Sequence, residues 1–129
     1  MRHELQSIRK LFAKLIRAKR TAFPREGVHL VAPDKQGVYL IYSPRGQVLH
    51  VGRTVSGQKG LQQRLKNHLQ GKSSFTAADF KRDGSQLRSS HSYAFVRVRN
   101  DRHRALLEAF AVGNLCPKHL GVGKSRNGK

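Results

Sequence analysis

The sequence is poor in acidic residues, and this shortage argues against two classes of enzyme. Only 7 of the 129 residues are Asp or Glu, against 26 Lys and Arg, so the formal net charge is +19. A two-metal nuclease needs a cluster of carboxylates and a glycosidase needs two that face each other. The excess of positive charge favours a polyanionic partner, because self-repulsion otherwise opposes folding. We predict nucleic acid as that partner, with an anionic membrane surface as the weaker alternative.

Cysteine and long apolar runs are also scarce. The single cysteine, Cys116, excludes an internal disulfide and argues against a cysteine-rich zinc site. It is compatible with a reducing compartment, and we predict a cytoplasmic location. No apolar run approaches the roughly 18 residues of a membrane span. Charges interrupt the apolar positions of the N-terminus, which is not typical of a secretory signal. We therefore expect no membrane association.

Residues 2–20 have the periodicity of a basic amphipathic helix. We favour a helix that packs on the domain and exposes its basic faces. A backbone-binding arm for DNA, or a helix that forms a homodimer through its apolar stripe, remains open as an alternative. The stripe contains six residues: Leu5, Ile8, Leu11, Phe12, Leu15 and Ile16.

A connector over residues 21–35 and a β-hairpin follow this helix. Prolines and glycine interrupt the connector, and we expect a short extended piece at residues 28–31. The hairpin has a first run at 38–42, a turn at Ser43-Pro44-Arg45-Gly46 and a return run at 48–53. Both faces of the first run are apolar, which predicts a central strand between the return run and a later strand.

The next predicted helix covers residues 60–70, with Gly71 as its C-cap. Leu61, Leu65 and Leu69 form its buried stripe. Arg64 and His68 are four residues apart and share one face beside that stripe, where we expect both polar heads to face outward into a pocket. Taken alone, these two residues favour an ordinary basic surface over a functional site.

Three further elements are predicted after this helix: a surface segment with one helical turn, a strand and a helix. Residues 72–90 are expected to form a surface excursion with one helical turn, and residues 92–99 a third strand. Asp101 is the predicted N-cap of a helix over 102–115. Residues 121–129 are predicted to form a flexible basic tail. Its glycines do not make a phosphate-binding loop, because Lys118 stands where that motif requires glycine.

Glu108 differs from the other six acidic residues because it lies within the most apolar helical segment, residues 105–112. Burying a carboxylate there is costly unless a cation or hydrogen-bond donors meet it. An ion pair with an arginine and a metal site are both compatible with this position. A single carboxylate suits Mg²⁺, which keeps several waters and binds substrate phosphate oxygens.

The ordered motifs resemble the GIY-YIG nuclease domain over roughly residues 36–120. Gly37-Val38-Tyr39 matches the first triplet of that family and His50-Val51-Gly52 matches the second. Arg64 and His68 on the next helix and Glu108 on a later one follow in the family's order. The resemblance implies a small α/β (α+β) domain, a three-stranded antiparallel sheet flanked by helices. It also implies Mg²⁺- or Mn²⁺-dependent endonuclease activity on nucleic acid, with DNA expected.

The resemblance assigns a role to each of these residues. Glu108 would hold the metal, and Arg64 would neutralise charge on the phosphoryl group. Tyr39 and His50 would position and deprotonate the attacking water, assisted by His68. The sequence departs from the family at His50, where tyrosine is usual, and at Leu120, where asparagine is common. A nucleic-acid-binding module with weak or no catalysis is therefore the alternative, and a ribosome-associated basic protein would explain the charge alone.

Overall fold

The fold is an antiparallel sheet with helices packed on both of its faces. The computed structural model describes residues 2–120, and the basic tail predicted at 121–129 lies outside the described residues. In chain order the elements are α1 (Arg2–Arg17), β1 (Thr21–Ala22), β2 (Gly37–Tyr42), β3 (Val48–Arg53), α2 (Leu61–Leu69), α3 (Ser74–Phe80), a 3₁₀ turn (Gly84–Leu87), β4 (Ser92–Arg97) and α4 (Asp101–Leu115).

β2 is the central strand, which confirms the prediction from its apolar sequence. The strand order is β1-β4-β2-β3, and all six residues of β2 are buried. It pairs antiparallel with β3 on one side and β4 on the other, so Tyr39 lies opposite Gly52 and Phe95. Burial on both faces explains why the strand shows no polar alternation.

The sheet has one more strand than the three that we predicted. β1 pairs Thr21 and Ala22 with the edge of β4. Residues 28–31, where we expected an extended piece, are not part of the sheet. The buried ring of Phe23 explains the position of β1, since it packs on Tyr93 with ring centroids 4.9 Å apart. A strand of two residues is too short to leave a periodic signal in the sequence.

α1 packs on the domain, which confirms the arrangement that we favoured. Ile8 and Leu15 are buried in the core that α1 shares with α4 and β4. The rings of Phe12 and Phe110 meet edge-on with centroids 5.1 Å apart. Most of the apolar stripe is thus covered within the chain, which gives no support for a homodimer. None of the helices within residues 2–120 combines the length and the apolar character that a membrane crossing requires.

Two predicted caps are wrong by one residue. The N-cap of α4 is Asn100, not Asp101, because the Asn100 side chain accepts a 2.9 Å hydrogen bond from the backbone N–H of His103. Both residue types cap helices well, so the sequence could not decide between neighbours. The cap of α2 is Gln70, and Gly71 follows it in the left-handed region at φ +72°.

The excursion between α2 and β4 contains more helix than the single turn that we predicted. α3 covers Ser74–Phe80 and is followed by the 3₁₀ turn. Ser73 begins α3 with a capping box, since its hydroxyl accepts from the Thr76 backbone N–H and the Thr76 side chain accepts from the Ser73 N–H. This cap places the Ser73 hydroxyl inside the domain, where it meets a site residue.

Arg104 is a fully buried arginine that ties the start of α4 to the ends of β3 and β4. Only 1% of it is exposed. Its Nε donates to the Thr54 carbonyl at 3.1 Å, and its Nη1 donates to two carbonyls just after β4 at 2.9 and 2.8 Å. Its Nη2 donates to Ser56 Oγ at 2.9 Å and contacts the Asp101 carboxylate. The contacts hold α4, which carries Glu108, against the strand that carries His50.

Replacing Arg104 by methionine is expected to lower the free energy of unfolding by about 3–5 kcal/mol, because buried carbonyls lose their donor. Arg102→Met is the matched control on the same helix: the side chain of Arg102 is 69% exposed and its ion pair with Glu4 is 2.7 Å long. That pair should contribute about 0–1 kcal/mol. Urea unfolding measures both. Equal losses in the two variants would contradict the role of the buried guanidinium.

Candidate active site

A cleft of about 680 Å³ lies between the end of β3, α2 and α4. Three of the five predicted site residues line it, one from each of these elements: His50, Arg64 and Glu108. The other two, Tyr39 and His68, are fully buried behind its wall. Residues from four elements, up to 69 positions apart in sequence, therefore meet around one opening.

Tyr39 is held in β2 with its ring against the backbone of Gly52 on β3. A Cβ atom at Gly52 would lie 2.3 Å from Tyr39 Oη, so only glycine leaves room for the phenol. Tyr39 Oη is 2.7 Å from His68 Nε2. Burial raises the pKa of Tyr39 to about 12, against the opposing effect of the Arg64 guanidinium. The phenol is therefore protonated at neutral pH and needs a proton acceptor beside it before it can act as a base.

His68 is the residue whose orientation we predicted wrongly. Its ring does not face outward but is completely buried, because it hydrogen-bonds at both nitrogens inside the domain. Nε2 meets Tyr39, and Nδ1 is 2.7 Å from Ser73 Oγ, the capping hydroxyl of α3. Burial holds the pKa of His68 well below its usual value, with the nearby His50 and Arg64 acting in the same direction. The neutral ring can thus accept the Tyr39 proton while Ser73 orients it.

His50 lies diagonally across the hairpin from Tyr39, with ring centroids 5.8 Å apart. Its ring stacks on Phe75 at a centroid distance of 4.9 Å. Its Nδ1 is 3.0 Å from Nδ1 of His119, and its Nε2 is buried with no hydrogen-bond partner among residues 2–120. Burial, helped by His119 and Arg64, lowers the pKa of His50 to about 3, so the ring is neutral at physiological pH.

Glu108 faces the cleft and pairs with Arg53, so the ion pair that the sequence left open is present. Glu108 Oε1 lies 3.3 Å from Arg53 Nε, and the two side chains are 30% and 36% exposed. Burial raises the pKa of Glu108, while Arg53 and Arg64 oppose this effect. The carboxylate therefore pairs with one guanidinium group and still lines the opening.

Arg64 brings a partly buried positive charge to the cleft. Its Nε is buried and has no hydrogen-bond partner within the described part of the chain. The positive charge of Arg64 acts on the pKa of all four other predicted site residues: Tyr39, His50, His68 and Glu108. A partly buried arginine without a carboxylate partner suits a phosphoryl oxygen that arrives from solvent.

Solved structures of a nuclease domain have the same architecture as this chain. Two point mutants of the GIY-YIG N-terminal endonuclease domain of UvrC from Thermotoga maritima, each bound to its catalytic divalent cation, align over 88% of this chain and 93% of theirs. The TM-score is 0.51 for both, at 22% and 21% sequence identity. This chain has the GIY-YIG nuclease fold. No family model and no curated protein matches the sequence. The likeness confirms the predicted fold and does not by itself assign an activity.

The cleft of this chain suits a metal ion that takes only some of its ligands from the protein and the rest from water and substrate. Within residues 2–120, no three His, Cys, Asp or Glu side chains come together to hold a metal ion. Mg²⁺ does not need such a group, because it keeps several waters and takes one or two carboxylates with substrate phosphate oxygens. Glu108 supplies one carboxylate beside open space, so the donor set fits Mg²⁺, and Mn²⁺ prefers the same oxygen ligands.

The sequence did not identify two residues of the site, His119 and Ser73. His119 follows α4, and its backbone N–H donates to the Leu49 carbonyl at 2.8 Å, which fixes its ring beside His50. The sequence did contain a hint of His119, because this residue lies in a basic run directly before Leu120. Leu120 is the position at which the sequence differs from the usual pattern of GIY-YIG nucleases. Leu120 lines the cleft, is 49% exposed and brings no polar group to it.

Proposed function

We propose that this chain is a divalent-metal-dependent endonuclease that hydrolyses phosphodiester bonds in nucleic acid, with DNA as the substrate to test first. The observation that supports it is the meeting, in one cleft, of a carboxylate, a neutral imidazole and a guanidinium whose Nε has no hydrogen-bond partner within residues 2–120. Glu108, Arg64 and His50 bring these groups from three separate elements. Metal binding, charge neutralisation and proton acceptance are the three tasks that hydrolysis of a phosphate diester requires.

Substrate binding relies on the positive residues of the cleft. Arg64 places its guanidinium where a phosphoryl oxygen can accept hydrogen bonds, and Lys59 adds charge at the rim. As water attacks phosphorus, negative charge grows on the phosphoryl oxygens, and a fixed guanidinium stabilises that charge more than it stabilises the ground state. An interaction of this kind contributes a few kcal/mol, about 3–4, to lowering the barrier.

The proton of the attacking water has two acceptors. His50 is neutral and lines the cleft, and its Nε2, which is buried in the free protein, has no hydrogen-bond partner within residues 2–120. This route requires the attacking water to reach that nitrogen. Alternatively, the water proton moves to Tyr39 Oη while the Tyr39 proton moves to His68 Nε2, 2.7 Å away. The phenol starts and ends neutral on this second route, so its high pKa is no obstacle. In both cases a P–O bond forms to the water oxygen and the P–O bond to the leaving sugar oxygen breaks.

Glu108 would hold the metal in this scheme. A bound Mg²⁺ or Mn²⁺ would polarise the phosphate and stabilise the leaving oxygen. Arg53 then has a positioning role, because its guanidinium orients the Glu108 carboxylate at 3.3 Å and opposes the effect of burial on its pKa.

The same ion pair also favours a second candidate function, a nucleic-acid-binding module without efficient catalysis. Arg53 neutralises Glu108 without a metal, and Leu120 leaves the cleft without the amide that relatives commonly carry. The net charge of +19 would serve such a module equally well. The two proposals agree on binding and differ only in turnover. A cytoplasmic location stays a prediction in either case.

Incubation with supercoiled plasmid, branched DNA and RNA in Mg²⁺, Mn²⁺ or EDTA tests the proposal. We expect cleavage with either metal and none in EDTA, with binding retained in EDTA. Binding to duplex DNA should weaken with salt at a log–log slope near −0.9Z, with Z of about five or more. Tight, salt-dependent binding without cleavage of any substrate would favour the binding module. A flat salt response would remove nucleic acid as the partner.

A further inference from the structure

The contact between His50 and His119 constrains where hydrogen atoms can be. The two Nδ1 atoms are 3.0 Å apart, which is a hydrogen-bond distance. Both rings are neutral near pH 7, because burial lowers the pKa of each. A neutral imidazole carries one hydrogen on one of its two nitrogens. One ring must therefore donate from Nδ1 and the other must accept at Nδ1, which couples the tautomers of the two residues.

Burial decides which ring donates. If His119 donated, His50 would carry its hydrogen on Nε2, an atom that is buried and has no acceptor within residues 2–120. An orphaned buried N–H is rare and costly in folded proteins. If His50 donates from Nδ1, its own Nε2 carries a lone pair and no hydrogen. The hydrogen of His119 is then on the Nε2 of His119, whose ring is only partly buried. The second arrangement avoids the buried unpaired donor.

No other group near His50 changes this choice. Phe75 of α3 stacks on the ring, Tyr39 of β2 and His68 of α2 lie at centroid distances of 5.8 and 5.2 Å, and Arg64 of α2 adds positive charge. The carboxylate of Asp79 on α3 acts to raise the pKa of His119 and is not among the groups that shift the pKa of His50. In the described part of the chain, His119 is the one hydrogen-bond partner of the His50 ring.

We propose that His119 is a positioning residue that fixes the tautomer of His50 in the free protein, so that an attacking water that reaches Nε2 with the substrate meets a lone pair and not a hydrogen. The catalytic consequence rests on the proposed endonuclease function. His119 itself touches neither the water nor the phosphate in this scheme. It accepts the His50 Nδ1–H, and its backbone bond to Leu49 keeps the accepting nitrogen in place.

This coupling gives the site a sensitivity to acid through His119. A protonated His119 carries hydrogen on both nitrogens, so its Nδ1–H must donate to His50. The hydrogen of His50 then sits on Nε2, and the acceptor is lost although His50 itself remains neutral. Burial lowers the pKa of His119, with Asp79 opposing, and that of His50 is lowered to about 3. Activity is therefore present above the pKa of His119 and falls as the pH drops through it.

Nitrogen-15 NMR of the imidazole rings in the intact protein, without metal or nucleic acid, tests the tautomers directly. At neutral pH we expect hydrogen on Nδ1 of His50 and on Nε2 of His119. On acidification both nitrogens of His119 should become protonated, and the His50 hydrogen should move to Nε2 in the same step. Hydrogen on Nε2 of His50 at neutral pH would overturn the proposal.

Two substitutions give the kinetic test. The Oδ1 of asparagine occupies the place of the imidazole Nδ1, so His119→Asn can still accept from His50 but cannot become protonated. We expect it to retain kcat and to move the acid limb of the pH–rate profile down by about one unit or more. His119→Ala removes the acceptor and should lower kcat at least about tenfold with KM little changed. Equal kinetics in the two variants would overturn the proposal.

His91→Asn is the control, because His91 is a partly buried histidine outside the cleft, whose ring Nδ1 hydrogen-bonds to Ser90 Oγ. It should leave the pH–rate profile unchanged. Thermal unfolding of each variant excludes a general loss of fold. The NMR result separates the two proposals: the expected tautomers without any cleavage would remove the endonuclease function and leave the coupling standing. Cleavage together with hydrogen on Nε2 of His50 would overturn the tautomer proposal and leave the endonuclease function standing.

Discussion

Replacing Glu108 by glutamine is expected to abolish cleavage, by about 10³-fold or more, while binding of nucleic acid persists. The amide has the same shape but no charge, so it cannot hold a hard cation as a carboxylate does. Loss of the ion pair with Arg53 should change the stability by less than about 1 kcal/mol, because both side chains are about one-third exposed. Plasmid cleavage in Mg²⁺ and binding in EDTA measure the two effects separately.

Glu26→Gln is the matched control for this variant. Glu26 pairs with Arg88 at 3.5 Å, and its side chain is 88% exposed. It does not line the cleft, so its loss should leave cleavage unchanged. If Glu108→Gln cuts as fast as the native chain in Mg²⁺, the metal assignment is wrong.

The second large effect is expected at His50, where alanine should lower kcat about 10²-fold or more. Burial keeps the pKa of His50 at about 3, so the native ring is neutral and able to accept a proton across the physiological range. His50→Tyr should retain activity with a higher pH optimum, because a phenol, with an ordinary pKa near 10, must first lose its proton. The pH dependence of kcat for the three proteins is the measurement.

An unchanged pH–rate profile in both His50 variants would assign the proton to Tyr39 and His68 alone. In that case the 2.7 Å bond between Tyr39 Oη and His68 Nε2 is the proton route, and His50 only packs against Phe75. His68→Ala would then cause the larger loss. Thermal unfolding of the alanine variants is needed beside the kinetics, because both histidines are buried.

Local sequence patterns predicted those parts of the fold that are determined by residues close together in the chain. The hairpin was visible because its two strands are joined by a Pro-Gly turn and are close in sequence. The central place of β2 followed from apolar residues on both faces, and Glu108 was identified because a carboxylate in an apolar helix needs a partner. These inferences require no knowledge of distant contacts.

Several missed features depend on side-chain contacts between residues far apart in the chain. Arg104 looked like one more surface arginine, since nothing nearby shows that the Thr54 carbonyl, 50 positions earlier, would bury it. His119 meets His50 across 69 positions. His68 was expected to face a pocket, but Ser73 and Tyr39 draw its ring inward from both sides. Helical spacing gives the face of a side chain and not its final partner.

The central position of β2 also determines how the site can adapt to a substrate. Strands on both sides bond its backbone, and its residues are buried, so its amide protons exchange with solvent only when the whole domain opens. Tyr39 belongs to this most protected unit. Residues 55–59 of the cleft wall are exposed and lie outside regular structure, so they open at a small fraction of that free energy. A nucleic acid that enters the cleft must therefore be accommodated by this loop and by its own deformation, while the phenol stays in place.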